Sequence, residues 1–170
     1  MRAIKYTKWI TSPELSKQIG CQEVKCSFSH EETSLSRLLA FIYSAKKSIS
    51  VAIYVLTCTE FSDALINALG RHVKVRIITD HSEVNATNNQ YHHLMSSGIS
   101  VRTNTPNYML MHHKFAVIDD EIVATGSFNW TRTAVLGNCE NVIVTSDKSV
   151  VNSYVKQFEK LWNEFAPFNE

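Results

Sequence analysis

The chain has little net charge, no long apolar run, no internal repeat and no low-complexity tract. Its 17 Lys and Arg against 16 Asp and Glu leave a formal charge of +1. That balance excludes a whole-chain cationic signature for nucleic acid, so any affinity for a polyanion must come from a local patch. No run approaches the ~18 to 20 apolar residues that would span a bilayer. Residues 1–20 also lack the apolar stretch of a signal peptide, and a soluble chain is expected. Arg2, Lys5 and Lys8 offer at most the start of a basic leader of the organelle-import type. Cysteine is sparse: Cys21, Cys26, Cys58 and Cys139. Nothing marks a secreted context, and Cys58 and Cys139 lie in or beside apolar runs as buried thiols do, so a reducing compartment is expected.

What is present reads as one globular domain behind a short extension. At 170 residues the chain is long enough to bury about two-thirds of the surface its unfolded form exposes. Residues 1–30 show no sustained period of 2 or 3.6 and read as an N-terminal extension, with residues 31–170 as the domain. Within the extension, Cys21, Cys26 and His30 form C-x4-C-x3-H. That spacing supplies three zinc ligands without an evident fourth, and free thiols with a surface histidine are the alternative.

From residue 31 onward, helical and strand patterns alternate. The spacing predicts helices over 31–47, 61–69 and 83–97, with strands at 48–56, 73–79 and 99–102. Residues 103–110 read as a loop, and residues 114–118 and 122–125 as a hairpin joined by Asp119, Asp120 and Glu121. A last strand at 141–145 precedes an amphipathic helix whose apolar stripe runs from Val151 through Phe158 to Phe165. Strand and helix units of this kind imply an α/β fold, a mixed, largely parallel sheet with helices on both faces.

The chemistry concentrates in residues 111–131, MHHKFAVIDDEIVATGSFNWT, where His112, Lys114, Asp119, Gly126, Ser127 and Asn129 spell H-x-K-x4-D-x6-G-S-x-N. Splitting a phosphodiester without a metal needs a nucleophile for phosphorus, a proton for the departing oxygen and positive charge on the non-bridging oxygens. His112 can attack as neutral imidazole, and Lys114 lies two residues on along a strand, on the same face, where it can hold a phosphate oxygen. Gly126 lets the backbone approach a ligand, and Ser127 and Asn129 donate to the same phosphate. A second H-x-K, at His72 and Lys74 with Asp80 downstream, has one residue too many before its aspartate and no G-S-x-N. Its expected place is the exposed face of a strand.

The six spaced residues, together with Trp130, Thr131 and the NCENVIVT segment at 138–145, resemble the HKD motif of the phospholipase D superfamily, in its small single-motif subgroup of Zucchini and the mitochondrial cardiolipin hydrolases. The resemblance implies that His112 forms a phosphohistidine, that Lys114 and Asn129 contact phosphate, that Asp119 supports the site and that Glu140 orients the catalytic histidine. It implies no cofactor for catalysis. It also implies a homodimer whose two His112 side chains meet at a two-fold axis, because one chain carries half a site. A structural zinc edge is part of the same likeness, but Val24 stands where one of its cysteines is expected and Cys21 is displaced.

Two substrates follow from the resemblance, the first of them the principal reading and the second its alternative. One is single-stranded RNA, and DNA equally, cut to 5′-phosphate ends as in piRNA biogenesis; the other is cardiolipin, an anionic phospholipid. For a strand, Lys74, Arg76, Arg102, Lys114 and Arg132 could line a groove at the dimer seam, with Tyr108 stacking a base. A catalytically idle RNA-binding module is a third reading. The implied location is the cytosolic face of the mitochondrial outer membrane, with a soluble cytoplasmic protein as the alternative.

Overall fold

The computed structural model describes residues 8–10, 34–106 and 109–168. Their strands form one mixed sheet in the order β1-β7-β6-β5-β2-β3-β4-β8. The central strands are β2 (Ser48–Ile53), β3 (Lys74–Thr79) and β4 (Ser100–Thr103), which run parallel to one another. On the other side of β2 come β5 (Lys114–Ile118), β6 (Ile122–Gly126) and β7 (Asn141–Thr145), each antiparallel to its predecessor in the sheet. Short edge strands β1 (Lys8–Ile10) and β8 (Ala166–Pro167) close the two sides. The sheet is mixed as expected, although antiparallel pairings outnumber parallel ones, because the hairpin folds back on β2 and β7 then extends the meander. β1 and β8 carry no sequence pattern of their own and are set by pairing with neighbours.

Helices cover both faces. On one side α1 (Ser34–Tyr43), α2 (Thr59–Gly70) and α4 (Tyr91–Ser96) bury Phe41, Ile42, Phe61, Leu65, Tyr91 and Leu94 against the sheet. On the other, α6 (Lys148–Glu164) lays Val151 and Phe158 over Ala52, Ile78, Phe115 and Val117. The helix expected over 83–97 is broken in two. α3 (His81–Val84) ends after one turn, and α4 begins only at Tyr91. Between them lie Asn85, Thr87, Asn88 and Asn89, whose short polar side chains compete with helical hydrogen bonds. Asn89 donates to the Glu83 carbonyl at 2.6 Å, and Asn88 turns left-handed at φ 64°.

Strand direction places the functional edge. β2, β3 and β4 end their carboxyl termini where β5 and β7 begin and β6 ends, since Ile53 pairs with Lys114 and Gly126 with Val142. The β5–β6 turn lies at the opposite edge, with Asp119 and Asp120 both at positive φ (55° and 56°), the geometry of a type I′ hairpin turn.

Candidate active site

His112 sits where the loop after β4 enters β5, as the sequence suggests. Its neighbour His113 offers a backbone carbonyl that accepts the Tyr54 N–H at 3.0 Å, which stitches the loop to the end of β2. The Lys114 ammonium lies 3.2 Å from His112 Nδ1 and 3.4 Å from Nε2, and donates to the His112 carbonyl at 3.0 Å. Partial burial lowers the Lys114 pKa, and the nearby Glu140 carboxylate opposes that shift. Tyr54, which belongs to no motif in the sequence, joins them. Its ring packs 4.6 Å from the His112 ring, and Lys114 Nζ stands 5.4 Å from its centroid. Burial, followed by the Glu83 carboxylate, raises the Tyr54 pKa, so its phenol stays protonated at neutral pH. Only the register of β2 against β5 brings it there.

The G-S-x-N segment reaches the same edge from β6. Trp130 donates its N–H to the Val55 carbonyl at 3.0 Å, and its own carbonyl accepts from Thr57 and Cys58, both at 3.0 Å. Gly126 has a reason other than the expected one: a Cβ there would lie 1.9 Å from the Asn141 carbonyl oxygen. It is the neighbouring strand β7 that comes close. The Ser127 hydroxyl donates to Glu140 and accepts the Asn141 N–H at 3.1 Å, while Asn138 Nδ2 donates to the other Glu140 oxygen at 2.9 Å. Glu140 is thus tied to Ser127 and Asn138, and no hydrogen bond among the described residues joins it to His112. Among the described residues Asn129 Oδ1 is buried without a partner, an arrangement that costs on the order of 1–3 kcal/mol until a donor arrives.

Asp119 stands apart from this cluster. Its carboxylate accepts the backbone N–H groups of Lys46 (2.9 Å), Lys47 (2.7 Å) and Ser48 (2.8 Å). At about 3.4 Å per residue along β5 it lies roughly 17 Å from Lys114, so it fixes the α1–β2 junction and does not reach a ligand at His112.

A family model described as "Cardiolipin synthase, PLD-like domain" matches residues 38–162. The mitochondrial cardiolipin hydrolase of Chlamydomonas reinhardtii is 39% identical over 146 residues, covering 86% of this chain and 65% of that protein. The Xenopus laevis protein of the same name is 37% identical over 155 residues, covering 91% and 72%. This chain belongs to the phospholipase D-like family. It spans about two-thirds of the length of the curated relatives it matches. Among solved structures, Nuc from Salmonella typhimurium, a phospholipase D family member, superposes with a TM-score of 0.70 at 30% identity, covering 78% of this chain and 89% of Nuc. NucT from Helicobacter pylori gives 0.73 at 29% identity, covering 79% and 90%.

Within one copy of this phospholipase D-like chain, the cations expected to line a groove at the dimer seam are not brought together. Lys74 pairs with Ser48 at the Asp119 edge of the sheet. Arg76 is taken up by α6, donating to Glu159 at 3.1 Å through Nη1 and lying over the rings of Phe158 (4.9 Å) and Trp162 (5.1 Å). Arg102 donates to the carbonyls of Trp162 and Phe165 and covers the Trp162 ring at 4.5 Å, closing the end of α6. These corrections share a cause: alternation along a strand shows which face a side chain takes, not whether a helix will cover it. Arg132 does flank the G-S-x-N segment, 2.9 Å from Glu60. Tyr108, Cys21, Cys26 and His30 lie outside the described residues. Among the described residues no cluster of three or more His, Cys, Asp or Glu could hold a metal ion, and no helix is long and apolar enough to cross a membrane.

Proposed function

We propose that this chain is a phosphodiesterase that works through a phosphohistidine on His112. The observation that carries the reading is the Lys114 ammonium set within 3.4 Å of both imidazole nitrogens at an open sheet edge. Imidazole nitrogen attacks phosphorus, the bond to the leaving oxygen breaks, and an acid gives that oxygen its proton. Water then attacks the phosphohistidine, with the conjugate base of that acid taking a proton, and His112 is released. Lys114 and the Asn129 amide hold the non-bridging oxygens; Ser127 and Glu140 brace the segment that carries Asn129. The acid is His112 of a second copy, in a homodimer that brings two half-sites together. Catalysis needs no metal and survives EDTA.

The substrate the surface favours is an anionic phospholipid of the cardiolipin type, yielding phosphatidic acid. Met109 and Leu110, immediately before the site, are 72% and 61% exposed and form an apolar lip. The name shared by the curated relatives agrees with this substrate and suggests mitochondrial association. Single-stranded RNA cut to 5′-phosphate ends is the second reading, favoured by Lys114 and Arg132 at the same edge. Wild type and His112→Asn, each offered cardiolipin vesicles and labelled single-stranded RNA, decide between them. Turnover of one substrate that is lost in the variant names it. Cyclic 2′,3′-phosphate ends would exclude the phosphohistidine route, because attack by histidine leaves the ribose hydroxyl unused. Binding of RNA without turnover of either substrate would identify an idle binding module.

A further inference from the structure

We propose that Asp80 and Asn104 are positioning residues that set where His112 stands, without touching substrate. The inference rests on the phosphodiesterase reading and extends it to a buried polar pair at the carboxyl ends of β3 and β4. Thr79 pairs with Thr103, so the next residues, Asp80 and Asn104, are side by side where the strands open into loops. They are only 3% and 4% exposed.

Every side-chain polar atom of the pair is engaged. Asp80 Oδ1 accepts the Ser82 N–H at 3.0 Å and its hydroxyl at 2.6 Å, and so caps α3. Capping needs no more than that. The second oxygen, Oδ2, does something else: it accepts Asn104 Nδ2 at 2.9 Å and the Met111 N–H at 2.8 Å. Asn104 in turn donates to the Met109 carbonyl at 2.9 Å and accepts the His81 N–H at 2.7 Å. The two side chains therefore hold the backbone at Met109 and Met111, with Leu110 alone between the anchors.

On the far side of the nucleophile, the His113 carbonyl accepts the Tyr54 N–H and Lys114 is in register with Ile53. His112 is thus spanned by one anchor from β3 and another from β2. Met111 itself is buried against the α6 face of the sheet, which removes the remaining freedom of the approach. A carboxylate so deeply placed would be costly unpaired, and the number of donors committed to it makes this a rigid support. Loss of an ångström in the placement of a nucleophile can cost roughly 100-fold in rate.

Full-length wild type, Asp80→Asn, Asn104→Ala and Ser82→Ala would be compared by thermal melting, by steady-state hydrolysis of bis(p-nitrophenyl) phosphate, and by NMR titration of the His112 imidazole. Asp80→Asn and Asn104→Ala are expected to lower kcat roughly 10- to 100-fold with KM changed less than about twofold, and to displace the His112 resonances. Ser82→Ala removes a bond to the same carboxylate on the capping side. It is expected to lower the melting temperature while leaving kcat and the His112 resonances unchanged. Unchanged kcat and His112 resonances in folded Asp80→Asn and Asn104→Ala would overturn the proposal, as would an equal kcat loss in Ser82→Ala. If Asp80→Asn does not fold, Asn104→Ala decides. If wild type does not turn over the diester, the phosphodiesterase reading fails for this substrate, and the His112 resonances alone judge the positioning role.

Discussion

The chain contains the tripeptide pattern H-x-K at the start of two strands, and the two copies meet opposite fates. His72 leads into β3 at Lys74, His112 leads into β5 at Lys114, and the two strands flank β2 on either side. β3 runs parallel to β2 and β5 antiparallel, so Lys74 is in register with Ser48 and Lys114 with Ile53. The first pair therefore lies at the edge where helices lead into strands, and His72 occupies a tight left-handed turn (φ 66°). The second lies where parallel strands end and loops open, the edge at which α/β sheets gather their ligands. The same residues at the same spacing are surface at one edge and part of the candidate site at the other. Strand direction makes the difference.

The largest test of that contrast is a matched pair of substitutions. His112→Asn should abolish diester hydrolysis, by at least about 10³-fold, as loss of a covalent nucleophile does. His72→Asn should leave kcat/KM unchanged, because Asn tolerates the left-handed conformation. Next in size, Lys114→Ala is expected to lower kcat roughly 10²- to 10³-fold, the loss that removal of one preorganised oxyanion donor brings, and Lys74→Ala to lower it by nothing measurable. Activity loss at the β3 pair would show that chemistry is not confined to one edge.

Much of this was legible in the sequence. The motif names His112, Lys114 and Asn129, and the strands expected at 114–118 and 141–145 are present with those bounds. Hidden from it were contacts made across the sheet. Tyr54 reaches His112 only through the pairing of β2 with β5, and Asp80 reaches Met111 across a sequence separation of 31. Arg76 on β3 and Arg102 on β4 read as free cations in the sequence, yet α6, arriving some 80 and 60 residues later, covers them. The glycine at 126 is visible in the motif, but the Asn141 carbonyl of β7 that leaves no room for a Cβ there is not. In each case the residue type was visible and its partner was not.

Asp119 sharpens the comparison from within the motif, because β5 carries the motif's histidine at one edge and its aspartate at the other. With its carboxylate committed to the N–H groups of Lys46, Lys47 and Ser48, Asp119→Ala leaves several donors with only water. A loss of about 2–3 kcal/mol is expected, seen as a fall in melting temperature of roughly 5–10 °C for a chain of this size. The surviving folded protein should keep its kcat at low temperature. A variant with normal melting and poor kcat would place Asp119 in the chemistry after all.

The smallest effect expected is at Arg76, the residue two beyond Lys74 on β3. Its guanidinium, through its hydrogen bonds, holds the Glu159 pKa below the ordinary carboxylate value. A carboxylate whose pKa is depressed on folding contributes stability that is fully present above its unfolded value, near 4.3, and is lost as pH falls through its folded value. Glu159→Gln should therefore melt slightly below wild type at neutral pH, by under about 1 kcal/mol, since the Glu159 side chain is 44% exposed and solvent screens the pair. The gap should close as pH drops below about 4. Diester hydrolysis is expected to be unaffected throughout, because the contacts of Arg76 clamp α6 to the sheet. A change in KM in this variant, with melting unmoved, would instead return Arg76 to a substrate groove and would break the division between the two H-x-K strands.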